Sequence, residues 1–373
     1  MTSRVAIVGS GQSALRPDRH DVQHVELIAE AVQSVLRATP FSIRDVDFVI
    51  DSGSDVLDGR SISNCGFLGT MGAHHKEETR VEEDGLWAIW YGWQKLLAGA
   101  GDLALVIAYS KPSEGSLSAY YSSQSEPFFQ RPIGIDHVTA SAIQAHQYTQ
   151  RWGAGASEFA SVAASDWMGA AANPRLDVDD APDAAAVAGS PMAAPPLRSL
   201  MLSRPVDGAL AVLLGSAEVA RKLPGKPVWI TGMGAAMDEH SLGAREPGAF
   251  PACAVAAATA YRIAGVDPKS VDLVEVSAQS AAGELMVLEA LALADGGAGS
   301  SLFDGSGIAV NPSGGALPAD PVMATGLARL HEAALQLSGR AGSNQLDRAD
   351  SAIVHASGGL AMQNHCVAVL ETA

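Results

Sequence analysis

The chain has 373 residues, 47% of them hydrophobic and 5% aromatic, with a formal net charge of -17. That length holds two or three packed units of ordinary domain size, and the abundance of glycine and alanine suits close packing of helices on sheet rather than a fibrous or disordered chain. The acidic balance argues against a nucleic-acid or anionic-membrane surface, since both need clustered Lys and Arg to displace counterions. The cysteines, Cys65, Cys253 and Cys366, are too scattered for a disulfide framework and show no metal-ligand spacing, so a reducing cytoplasm and no metal are expected. No apolar run reaches the roughly 20 residues of a membrane span, and the opening MTSRVAIVGSGQSAL has no signal-like apolar segment behind it.

In chain order, a short apolar strand ends in GSGQSA, which reads as a glycine turn and not as a dinucleotide fingerprint, because the third glycine and the downstream acid are absent. Residues 31–50 then read as helix, turn and buried strand. The same unit recurs without a gap at 256–275, pairing Ala31 with Ala256, Arg37 with Arg262 and Val46-Asp47 with Val271-Asp272. A helix over 87–97 leads to a strand over 103–108, and a helix over 323–337 leads to a strand over 351–355. Two halves of alternating helix and strand predict crossover connections and a parallel or mixed sheet.

Between the halves, residues 112–205 hold an aromatic and Ser-rich stretch, SLSAYYSSQSEPFFQRPIG, and helical patterns over 140–152 and 157–172. Insertions of this length with helices of their own tend to carry function. Tyr120, Tyr121, Phe128 and Phe129 either line an apolar pocket or anchor the insertion to the body. VDGALAVLLGSAEVARKL then returns the chain to the first half as strand, polar turn and short helix.

NPSGGALPADPVMATG at 311–326 resembles the NPSGG…GHPxGATG loop of the thiolase superfamily, most closely its sterol-carrier-protein type. The strand beginning DGALA and the helices of QYTQRWGAGASEFASVAASDWMGAAANP are similar to further family segments, so the resemblance covers nearly the whole chain. It implies an α/β thiolase fold: duplicated βαβαβαββ halves in a five-layer αβαβα arrangement with an inserted loop domain. The expected boundaries are 1–111 with 206–224 for the N-terminal half, 112–205 for the loop domain and 225–373 for the C-terminal half.

The family's reaction uses a cysteine nucleophile, a histidine base and oxyanion donors. Carried over by resemblance, the nucleophile position falls on Glu82, or on Glu83 if one residue is skipped, with Asp84 beside it. Ser277 stands for the histidine or asparagine of the second loop, and Asp320 for the histidine of the third. Asp320 is read either as a general base, its pKa raised by burial and like charges, or as a helix cap. His355 in HASGGLAM is the imidazole expected to face the reaction centre, or else a buried residue without chemical duty. Gly314, Gly315, Gly358 and Gly359 would let backbone approach a coenzyme A thioester, and Arg198 and Lys222 are candidates for its phosphates, no cofactor being expected to bind tightly.

Two functions follow as expectations. The first is a degenerate thiolase that binds an acyl-CoA or lipid, or supports a complex as a subunit, without Claisen condensation or thiolysis. The second is a retro-aldol lyase acting on a β-hydroxyacyl-CoA through Asp320, His355 and a loop tyrosine, with a small zinc-ribbon and OB-fold partner protein. By resemblance the chain is expected to form a homodimer.

Overall fold

The computed structural model describes residues 4–305 and 307–372. The first half runs through β1 (Val5–Gln12), α1 (His24–Arg37), β2 (Phe48–Ser52), β3 (Glu77–Val81), α2 (Gly85–Leu97) and β4 (Leu103–Ser110). The insertion follows, with α3 (Leu117–Ser123), α4 (His137–Trp152), α5 (Ala156–Ala172), α6 (Ala184–Gly189) and the short strands β5 (Met192–Ala194) and β6 (Leu197–Arg198). β7 (Gly208–Ser216) and α7 (Ala217–Ala220) return to the first half. The second half holds β8 (Val228–Met237), α8 (Pro251–Ala264), β9 (Leu273–Glu275), α9 (Ala281–Ala290), β10 (Ala309–Val310), α10 (Thr325–Leu337), β11 (Ser351–Gly358) and β12 (Asn364–Glu371).

The large sheet has the order β10-β9-β11-β12-β8-β1-β7-β4-β2-β3. Read outward from its centre, each half repeats the other: β1 and β8 meet antiparallel at the seam, β2 runs parallel to β3 and β4, and β9 runs parallel to β10 and β11. Strand alternation sorts the side chains into layers. On β4, Leu103, Leu105 and Ile107 pack under α1, whereas Ala104, Val106 and Ala108 face α2. On β11, Ala352, Val354 and Ala356 face α10, and Ile353 turns to the opposite side with α8 and α9. Helices α2 and α10 therefore lie between two half-sheets, with α1 outside one and α8 and α9 outside the other, which gives five layers, αβαβα. Strands covered on both faces need apolar residues at nearly every position, as LALVIAYS of β4 supplies.

The sequence repeat is real in three dimensions. α1 and α8 are each followed by a one-turn 3-10 helix, Ile43–Asp45 and Pro268–Ser270, and by strands that start at Phe48 and Leu273, in the register of the gapless alignment. The paired aspartates also do the same task. Asp47 Oδ2 accepts from the amides of Asp102 (2.7 Å) and Leu103 (3.0 Å), and Asp272 Oδ2 accepts from those of Asp350 (2.8 Å) and Ser351 (3.0 Å). Each carboxylate thus fastens the start of the neighbouring parallel strand.

One sequence expectation needs correction. GSGQ is part of β1, which continues through a bulge between Ile7 and Gly9 while pairing with β7, and the glycines lie where α1 presses on the strand. The clamp at Asp272 gives a test of the repeat: Asp272→Ala removes the two amide hydrogen bonds, together with the Ser351 hydroxyl bond and the exposed Arg348 pair, and should lower unfolding free energy by about 1–2 kcal/mol. Urea unfolding measures it, and Asp47→Ala should behave alike.

Candidate active site

The N-terminus of α2 sits deep between the half-sheets. Asp84 caps it, Oδ1 accepting from the Leu86 amide and Oδ2 from the Gly326 amide, both at 2.9 Å. One carboxyl thus serves the first turns of two helices, α2 and α10. A Cβ on residue 326 would collide with Asp84 Oδ1 and stand 2.6 Å from Ala356 Cβ and 2.9 Å from Leu86 Cβ, so glycine is what admits the acid. The neighbouring Glu83 accepts from Asn364 Nδ2 and lies against Gly358, where a Cβ would collide with Glu83 Oε2. Glu82 faces outward: it is exposed, pairs with Arg80 at 3.2 Å and accepts from the Asp55 amide at 2.6 Å. Of the two carboxyls open to the nucleophile position, Glu83 is the one turned inward.

Asp320 lies in the third loop, stitched to the chain returning from the insertion. Its amide donates to Arg204 O and its carbonyl accepts from the Val206 amide, both at 2.9 Å. Its carboxyl receives the Thr325 hydroxyl, and the residue is 8% exposed. Asp320 is thus neither a solvated loop residue nor the N-cap of α10, which is Ala324. From α3 the insertion adds Tyr120 and Tyr121, with ring centroids 4.9 Å apart. Phe128 and Phe129 of the same stretch are exposed and take no part.

These groups share one electrostatic environment. Burial pushes Asp84 up to about 8 against two backbone hydrogen bonds, and the charges of Glu83 and Asp320 add to the rise. Burial likewise raises Glu83 and Asp320, opposed by hydrogen bonds from the Asp84 backbone and Asn364 on Glu83 and from Thr325 and Ser203 on Asp320. Tyr121, raised well above the ordinary phenol range by burial, also feels Tyr120, Asp320 and Glu83, while Gln279 beside it acts the other way. A thiol is near as well: Cys366 Sγ lies 3.9 Å from Leu86 O. Burial, then Asp84 and Glu83, hold that thiol protonated. A thiolate site needs the reverse, a positive microenvironment.

The remaining sequence candidates fall elsewhere. Ser277 is buried at the end of β9, its amide donating to His355 O at 3.2 Å and its carbonyl accepting from Ser357 Oγ at 3.2 Å. His355 does not face the reaction centre. Strand alternation puts it on the side of β11 away from α10, where it pairs with His365. Gly314 and Gly315 adopt φ of 100° and 62° and are buried against Ala170 and against Asn311 and Asp166. They shape the loop. Below them Arg329 binds Glu275 (2.9 Å) and Ser313 Oγ (2.6 Å), and Asn311 joins Glu284 (2.8 Å) to the Val276 amide (2.8 Å). Gly359 has a φ of 75° beside Gln363. Arg198 donates to Ser190 O within the insertion, and Lys222 pairs with Glu218 in solvent just beyond α7. Sequence reasoning missed Gln279 and Arg329 as parts of this region; Arg329 carried one usable signal, a lone cation in the apolar helix after the glycine loop.

With this geometry in view, the relatives fall into place. Residues 234–372 match the family described as thiolase C-terminal domain-like. The acetyl-CoA acetyltransferase of Methanothermobacter thermautotrophicus is 32% identical over 235 residues, 61% of this chain and 61% of that protein. Sterol carrier protein 2 of Rattus norvegicus is 26% identical over 94% of this chain, which spans 69% of the rat protein. Among solved structures, the Ltp2-ChsH2(DUF35) aldolase superposes with a TM-score of 0.86 at 20% identity, over 99% of this chain and 98% of that one. Together these matches support a thiolase-superfamily protein of the sterol-carrier-protein 2, thiolase-like type, with the C-terminal part matching the family model.

Two predictions follow from the packing. Gly326→Ala should cost about 1–3 kcal/mol in chemical denaturation, because the Ala356 and Leu86 Cβ atoms cannot yield. Asp84, raised from 3.8 to about 8, binds its proton more tightly in the folded chain. Its contribution to stability is complete below about pH 4 and is lost as pH rises through about 8. Asp84→Asn has no such titration, so its stability relative to the parent should rise across that window; a difference that stays constant with pH would refute the assignment.

Proposed function

We propose that this protein cleaves a carbon–carbon bond in a β-hydroxyacyl thioester, a retro-aldol reaction, and has no thiolytic chemistry. The observation that supports this reading is the set of buried Asp320 and Tyr121 with half-buried Glu83, an acid-base assembly at the place where the superfamily keeps its reaction centre. In the forward step a base takes the proton of the β-hydroxyl and the Cα–Cβ bond breaks, releasing a carbonyl product. The electron pair enters the thioester enolate, and Cα then takes up a proton. Asp320, its pKa raised by burial, suits the base. Tyr121 stays neutral and can donate to the developing oxyanion. Glu83, also raised, suits the acid that returns the proton. Here Glu83 fills the role expected of His355.

Burial and the neighbouring acids Asp84 and Glu83 disfavour a thiolate at Cys366. The fold likeness to the Ltp2-ChsH2(DUF35) aldolase adds weight. Within this reading the carrier is coenzyme A with no tightly bound cofactor, a small partner chain completes the enzyme, the chain forms a homodimer, and the work belongs to cytoplasmic lipid metabolism. A second reading is acyl-thioester or lipid binding without turnover by a degenerate thiolase, with the sealed groups Asp84 (1% exposed), Tyr121 (6%) and Asp320 (8%) structural rather than chemical.

The deciding assay incubates purified protein, alone and with any co-encoded partner, with β-hydroxyacyl-CoA. Cleavage to a carbonyl product and a shortened acyl-CoA is expected, and Asp320→Asn should lower kcat by about 100-fold or more. Binding without cleavage supports the second reading. Efficient thiolysis of acetoacetyl-CoA would overturn both.

A further inference from the structure

A second cluster of titratable groups lies on the far side of the second half-sheet and takes no part in the chemistry above. His355 on β11 and His365 on β12 project toward the outer helical layer, and Cys253 in the first turn of α8 comes down onto them. All three are fully buried, and one ligand-capable atom from each lies within 4.8 Å of the others. Phe250 closes one side, its ring 5.0 Å from that of His365.

The hydrogen bonding of this cluster is incomplete. His355 Nε2 and His365 Nδ1 are 3.0 Å apart, so one of them carries the proton between the rings. Among the described residues, His355 Nδ1 and His365 Nε2 have no hydrogen-bond partner, although both are sealed from solvent. Burying two imidazoles with unpaired nitrogens beside a thiol is costly, and apolar side chains of similar size would fill the space without that penalty. Nothing in the acid-base reading of the other face needs them.

We propose that Cys253, His355 and His365 bind a thiophilic d10 cation, Zn2+ or Cu+, through a thiolate and two imidazoles. Sulfur and imidazole nitrogen are the donors such ions prefer, and the cluster offers no carboxylate for Mg2+ or Ca2+. The facing nitrogens are the natural ligands. The ring that holds its proton between them shifts it to its outer nitrogen, so the imidazoles lose none. The thiol proton passes to solvent as the sulfur–cation bond forms. The outer N–H groups then turn toward main chain near Ser277 and Met362, which makes no hydrogen bond to either ring in the structure but already biases both. Ligating histidines are commonly oriented in this way. The ion would pin α8 to β11 and β12 behind the candidate active site.

The test uses the full chain, stripped with chelator under reducing conditions. Titration with Co2+ should reach one equivalent and give a thiolate charge-transfer band in the near ultraviolet together with ligand-field bands in the visible. Zn2+ should bleach these bands if it is the better occupant, and anaerobic Cu+ competition against a chromophoric chelator identifies the alternative. Cys253→Ser should abolish the near-ultraviolet band, and His365→Gln should weaken binding by more than about tenfold. Cys65→Ser, at an exposed cysteine, should change neither. Failure of the unmutated protein to bind any of the three ions stoichiometrically would overturn the proposal whether or not the variants fold, as would a band that persists in Cys253→Ser.

Discussion

Asp84 is the constraint around which the centre of the molecule is arranged. Helices α2 and α10 begin between two half-sheets, where water cannot satisfy their first amides, and this carboxyl accepts from one amide of each. Its burial forces the helices into contact at Gly326 and places Glu83, the next residue back, against Gly358. Burial raises both carboxyls, Asp84 to about 8. The same burial, together with the nearby Asp84 and Glu83, holds the Cys366 thiol protonated, the opposite of what a thiolate needs.

The insertion completes what the two halves begin. Its helix α3 brings Tyr121 to the acids, and its returning segment, just before β7, pairs with Asp320 through Arg204 and Val206. The glycine loop at 311–326 belongs to this joint. Its buried base, Arg329 with Glu275 and Ser313, holds the loop while Asp320 projects from it. With aspartate where the resembled loop carries histidine, this held loop still presents a buried carboxyl.

Some of this was legible in the residues. The repeat at 31–50 and 256–275 gave both halves and even their matching clamps, because Asp47 and Asp272 act on the strand beside them through backbone amides, a local task that leaves a local signature. The third loop was recognisable because NPSGG fixes a backbone path. His355 was misread because a loop motif does not tell which face of a strand a residue occupies, and a shift of one position reverses the face. Glu82 and Glu83 could not be ordered for the same reason.

The sequence by itself determined the thiolase-like resemblance, the duplicated α/β plan and the presence of acids at the matching loop positions, since these depend on composition, period and short contiguous motifs. Only the tertiary structure decided which acids face inward, that Tyr121 joins them, and that Cys253 meets His355 and His365 from far along the chain. Those outcomes depend on which faces of strands and helices are packed together. That is a property of how the layers stack and is written in no single stretch of residues.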